Sequence, residues 1–151
     1  MTIAKPTDWK TNPLPEQHAT VPLDRTFSSQ EMARIRKGLI PFQMEDKWFI
    51  YWRDDTLYFH RSWTGNCLYV VHFAAAGEAY KMVKAEVNRD PSQYRATDDE
   101  VDAARISFLI DLLLLHQPSV FPSDESSPEK QALMSWSFVG RAMFNQHPDD
   151  E

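Results

Sequence analysis

The chain has 151 residues, within the usual size range for one domain and long enough to bury about two-thirds of the surface its unfolded form exposes. Hydrophobic residues make up 42% and aromatics 13%, enough for a core, while four glycines are too few for a loop-built or low-complexity fold. Sixteen basic residues against twenty-two acidic ones leave a net charge of -6, which opposes attraction to a phosphate backbone or an anionic bilayer, so neither nucleic acid nor a membrane is the expected partner.

In chain order, residues 1–25 read as an extended arm, because Pro6, Pro13, Pro15 and Pro22 fix φ and remove amide donors, and no period of 2 or 3.6 is visible. Trp9 would anchor this arm across the domain. The segment lacks the apolar run of a signal peptide, and the single cysteine, Cys67, reads as a buried thiol within a strand; both point to a reducing, cytoplasmic setting. The domain itself is expected over residues 26–146, with residues 147–151 as a disordered tail. It opens on a capping box, Ser28 to Glu31, with Phe27 against Met32 as a staple, and on a short helix that Gly38 stops.

From Lys47 the pattern turns to strands: Trp48 to Trp52, Thr56 to Arg61, Leu68 to Phe73 and Lys81 to Val87, rich in aromatic or β-branched residues and bounded by polar turns. The stretch from Gly77 to Asn88 also admits a helix, but the alternation of Val83, Ala85 and Val87 with Lys84 and Glu86 favours a strand. With Asp54-Asp55 as a two-residue turn, Trp52 faces Leu57 and Ile50 faces Phe59 on one side of the hairpin, while Tyr51 faces Tyr58 and Phe49 faces His60 on the other. A one-residue slip would scramble that segregation. The aliphatic side is then the place for helices, and the tyrosine-histidine side needs another cover: the arm, a partner or a ligand.

Thr97 to Glu100 reads as a second capping box, opening a helix whose apolar stripe is Val101, Ala104, Phe108, Leu109, Leu112 and Leu115. Its apolar core, Ile106 to Leu115, falls far short of the roughly 20 residues that span a bilayer. After a polar loop, Ser127-Pro128-Glu129 marks a last helix with Ala132, Leu133, Trp136, Val139 and Met143 on its buried face. The expected fold is therefore α+β: a four-stranded antiparallel meander with two long C-terminal helices packed on one face and a short N-terminal helix.

The chemistry-bearing residues gather in two segments. The first is the turn His60-Arg61-Ser62-Trp63-Thr64-Gly65-Asn66, whose glycine permits a backbone turn able to offer amides to an anion. The second, Asn88 to Arg95, leaves the last strand at the same end of a meander, so the two can meet, with Arg61, Arg89 and Arg141 supplying guanidinium forks for a diphosphate or carboxylate. The residues expected to bind a ligand are Tyr58, His60, Arg61, Trp63, Thr64, Asn66, Arg89 and Gln93. Against this stand a self-satisfied turn and an Arg-Asp network that merely holds a long loop. His60 and Arg61, adjacent on a strand, also point to opposite faces unless a bulge intervenes. Asp98 and Asp99 suit a helix N-terminus as well as acid-base work. The five histidines lack zinc-site spacing, and no HExxH, CxxC, P-loop or GxGxxG motif occurs, so no metal or cofactor is expected; no catalytic base or nucleophile is identifiable either.

Lys47 to Tyr51, Leu57 to Gly65 and Asn88 to Tyr94 together resemble a family of small, largely uncharacterised bacterial domains, some of which occur in chains that also carry an ADP-ribosylglycohydrolase domain. The resemblance covers roughly residues 40 to 145 and brings no catalytic residues with it. It implies a setting in ADP-ribose or nucleotide-linked biology. The expectation is a binding module for ADP-ribose or another nucleotide, in which Trp63, Tyr58 or His60 stacks a ring and Arg61, Arg89 and Asn66 hold phosphates. The alternative is a non-catalytic protein-protein interaction or immunity-type protein.

Overall fold

The computed structural model describes residues 3–42, 46–94 and 97–117. Five antiparallel strands form one sheet: β1 (His18–Phe27), β2 (Trp48–Arg53), β3 (Thr56–Arg61), β4 (Cys67–Ala76) and β5 (Ala79–Asn88), in the spatial order β1-β5-β4-β3-β2. The expected four-stranded meander is β2 to β5. A fifth strand, β1, is added beyond β5, and up to Arg25 it is drawn from residues assigned by sequence to the arm. It escaped notice because Pro22 sits inside it and a register shift between Pro22 and Arg25 breaks its alternation. Both features are tolerated at the margin of a sheet, where a proline nitrogen can face away from the ladder.

The β2–β3 hairpin has the register expected: Trp52 pairs with Leu57, Tyr51 with Tyr58, Ile50 with Phe59 and Phe49 with His60. Asp54 and Asp55 both take positive φ, 51° and 58°, the backbone of a two-residue turn whose twist matches that of the strands. The alternation therefore sorts the side chains as the sequence suggests. Trp48, Ile50, Leu57 and Phe59 join Tyr69, Val71, Met82, Ala85 and Val87 in the main core, and Phe49, Tyr51 and Tyr58 form a second cluster on the opposite face.

Helix α1 (Ser29–Ile35) starts with the reciprocal Ser28–Glu31 capping box and buries Met32 and Ile35 in the main core. Gly38 follows at φ 65°, where a Cβ would lie 2.1 Å from the Ile50 carbonyl oxygen; only glycine lets the chain approach β2 this closely. Helix α2 (Asp99–Leu109) continues into a π-helical turn, Ile110–Leu114, and His116 at φ 57° closes it. The cap is Asp98, whose side chain accepts from the Glu100 and Val101 amides, rather than Thr97. The stripe also differs from the one expected, since Ala104 is exposed while Asp102 is fully buried beside Ile106 and Leu109.

The last expected helix, from Ser127 through Met143, Arg141 and the tail lie outside the described residues. No helix among the described residues is long and apolar enough to cross a membrane.

The opposite face is closed by the segment ahead of β1, residues 3–17, termed the strap. Ala4 is buried against Phe49 and Tyr51, and its amide donates to the Lys37 carbonyl at 2.8 Å. Beneath it, Tyr51 stacks between Tyr58 (4.7 Å, 13°) and His60 (5.7 Å, 12°).

Candidate functional site

The β3–β4 connection is a backbone-closed turn. The Arg61 amide donates to the Asn66 carbonyl at 2.9 Å and the Gly65 amide to the Arg61 carbonyl at 2.8 Å. Gly65 stands at φ 80°, and a Cβ there would meet the Lys10 carbonyl oxygen at 3.1 Å, so glycine serves both the turn and the passage of the strap over it. The strap is tied down residue by residue. Trp9 Nε1 donates to the Ser62 carbonyl at 2.7 Å, the Asn12 amide to the Gly65 carbonyl, and Asn12 Nδ2 to the Thr64 carbonyl and to Asn66 Oδ1.

Several polar groups of the turn are spent on the fold. Ser62 is buried, with its hydroxyl donating to the Asp46 carbonyl at 2.6 Å and its amide donating to the Lys47 carbonyl. His60 is buried too; its Nδ1 donates to the Gly65 carbonyl at 2.9 Å, while burial pushes its pKa below the usual histidine value and keeps the ring neutral. A register shift does occur here, with Phe59 opposite Tyr69 but His60 opposite Cys67; the extra residue is in β4, so it leaves His60 on the strap side. Cys67 is buried, its thiol pushed up to about 12 chiefly by desolvation.

The second segment meets the first at the same rim. Fully buried Asn88 donates through Nδ2 to the Cys67 carbonyl and to Gln93 Oε1, and accepts at Oδ1 from the Asp90 amide. Arg89 turns inward and pairs with Asp99 Oδ1 at 2.7 Å and Asp102 Oδ2 at 2.6 Å. Burial opposes its charge, but the two carboxylates outweigh that and raise its pKa. Tyr94 donates to the other Asp102 oxygen, and its own oxygen accepts from Tyr69 and Arg105. Burial and the Asp102 carboxylate push the Tyr94 hydroxyl up to about 12.

Between the two segments opens a cleft of about 270 Å³ lined by Lys47, Arg61, Trp63, Thr64, Asn66, Ser92 and Gln93. Of the eight residues expected to bind a ligand, Arg61, Trp63, Thr64, Asn66 and Gln93 are brought together there. Tyr58 and His60 are not: strand alternation carries them to the strap side, where they stack on Tyr51. Arg89 is not either, because the first turn of α2 supplies the carboxylates that hold it. Sequence reasoning missed Lys47 and Ser92. The expected hairpin register could have found Lys47, since Trp48 pairs with Arg61 and Lys47 must then sit beside Ser62.

The cleft is cationic and aromatic. The Arg61 guanidinium lies 4.8 Å over the Trp48 ring, and burial lowers its pKa, as expected for a charge with incomplete hydration. Trp63 is 57% exposed, with the Lys47 ammonium 4.4 Å over its ring. No carboxylate, histidine or thiol lines the cleft among the described residues. Such a set can hold an anion and stack a planar group. No family model matches the chain, and no curated protein or solved structure matches it either.

Proposed function

We propose that this protein is a small-ligand binding module whose cleft between residues 61–66 and 92–93 takes an anionic, nucleotide-like ligand of the class that includes ADP-ribose. One observation carries the reading: two cations, an exposed indole and four neutral hydrogen-bonding side chains, drawn from separate strands and loops, converge on one open cleft in a protein of net charge -6. A local concentration of positive charge against an acidic whole favours a compact anion over a polyanion, which the rest of the surface would repel. Arg61 is the charged anchor, Lys47 the second cation, and Trp63 the stacking surface. Titration calorimetry with ADP-ribose and NAD on the wild type and on Arg61→Ala tests the reading. Heat from the wild type that Arg61→Ala diminishes supports it, and no heat from ADP-ribose, NAD or a nucleoside monophosphate such as AMP ends it.

A second reading, a non-catalytic protein-interaction or immunity-type module, draws on the exposure of Trp9 and Trp63, which flank the same turn at 37% and 57%. Large exposed aromatics are favoured anchors of protein interfaces. It predicts a stoichiometric partner on purification from the native host that Trp63→Ala releases and excess ADP-ribose leaves in place.

A further inference from the structure

The cleft is polarised as well as charged. Asn88 is oriented by backbone groups, its Oδ1 facing the Asp90 amide and its Nδ2 facing the Cys67 carbonyl, and that same Nδ2 engages Gln93 Oε1. The acceptor end of Gln93 is therefore occupied, leaving its amide nitrogen for a ligand. Asn66 is set in the same way. Asn12 Nδ2 is oriented by the Thr64 carbonyl and also engages Asn66 Oδ1, so Asn66 likewise has its nitrogen left to offer. Thr64 Oγ1 already accepts from the Asn66 amide and has a proton to give. With Lys47 and Arg61, which are donors only, five of the seven lining side chains present donors to the cleft. Ser92, whose hydroxyl donates to Asp90 Oδ1 at 2.7 Å, is left as an acceptor.

A wall of donors selects a group made of acceptors. A ribose diol needs acceptors for its own hydroxyl protons, and nucleotide sites commonly supply a carboxylate for it; among the described residues none lines the cleft. A phosphate monoester instead offers three strong acceptor oxygens and a charge of about -1.5 to -2 near neutral pH. Size points the same way. At about 270 Å³ the cleft falls just under the range of roughly 300 to 1,000 Å³ typical of sites that enclose a whole drug-sized ligand. It has room for a phosphate and part of what carries it, with Trp63 at the mouth for a ring.

Resting on the function proposed above, we infer that the cleft recognises the terminal phosphate monoester of a nucleoside monophosphate and disfavours a pyrophosphate bridge flanked by two sugar diols. Arg61 and Lys47 hold the phosphate, Asn66 and Gln93 donate to its remaining oxygens, and Trp63 covers the base.

The test is titration calorimetry with AMP, adenosine, ribose 5-phosphate and ADP-ribose at one ionic strength, with folding of each variant checked by circular dichroism. AMP is expected to bind about tenfold or more tighter than either adenosine or ADP-ribose. Trp63→Ala should bring AMP down to the level of ribose 5-phosphate. Gln93→Glu keeps the acceptor that Asn88 engages while placing a negative charge at the cleft. It should weaken AMP by about tenfold or more and leave adenosine unchanged, a pattern that simple loss of structure would not give. Arg61→Ala should weaken AMP similarly. ADP-ribose binding more tightly than AMP in an Arg61-dependent way overturns this inference and leaves the nucleotide site standing. Adenosine binding as tightly as AMP overturns it as well, and no binding of any member of the panel removes both readings.

Discussion

The helical face and the strap face of the sheet are built from alternate residues of the same strands, yet they are closed by different chemistry. On the helical face, α1 and α2 bury aliphatic and aromatic volume, and one fully buried carboxylate, Asp102, gathers Arg89 and Tyr94 and, through Tyr94, Tyr69 and Arg105. On the strap face, three rings stack and an irregular segment crosses them, held by bonds to the backbone of the turn and the segment after α1. The first closure fixes the loop that brings Ser92 and Gln93 to the cleft, and the second fixes the turn that brings Trp63, Thr64 and Asn66. The cleft lies where the two closures meet, so each can be loosened separately.

The largest expected effect is on the helical side. Asp102→Ala leaves Arg89 and the Tyr94 hydroxyl without their shared buried partner and should cost about 3–5 kcal/mol, read as a lower midpoint in urea unfolding. On the strap side, Gly65→Ala places a side chain at φ 80° and 3.1 Å from the Lys10 carbonyl oxygen, for a loss of about 1–3 kcal/mol. Limited proteolysis should then cut the strap first; cleavage elsewhere at an unchanged rate would mean that the strap is seated independently of the turn. Trp9→Phe removes the donor to the Ser62 carbonyl and keeps most of the ring, and should cost about 0.5–1.5 kcal/mol. Were Trp9→Phe to cost as much as Asp102→Ala, the strap would have to be counted as core and the contrast between the faces would fail.

The smallest effect at neutral pH lies beneath the strap. Burial holds the His60 pKa below 6.5, so unfolding lets the ring take up a proton that the fold denies it. Its contribution is intact above about pH 6.5 and is lost as the pH falls from there toward the lower folded value. The drop in urea midpoint between about pH 7.5 and about pH 5.5 should be shallower in His60→Asn, which keeps a donor near the Gly65 carbonyl and does not titrate.

What is legible in the chain follows from which residues carry their own geometry. The β2–β3 register can be read directly, since a two-residue Asp-Asp turn and strict aromatic alternation leave one pairing that segregates the faces. Strand β1 cannot, because half-exposure, Pro22 and a shifted register erase its period. Five cleft residues are legible because hairpin topology alone brings residues 61–66 and 92–93 to one rim. The fate of Arg89 is not, since Asp99 and Asp102 look like ordinary first-turn acids that favour the helix dipole. Nothing local marks Asp102 as buried; that depends on the angle at which α2 crosses the sheet. Assigning Tyr58 and His60 to the same site as Arg61 fails on alternation itself, which the shift in β4 does not undo.

Pro22 has one further consequence. Its nitrogen carries no hydrogen, and β1 continues to pair with β5 through it, which places the missing donor on the side away from β5. A second chain offering its backbone along that outer side would meet a gap at Pro22 and a kink before Arg25 instead of an unbroken row of amides. Along β1 the sheet is thus a poor template for one more strand, and the same two features that erase the period of β1 in the sequence also disfavour a neighbour on that edge.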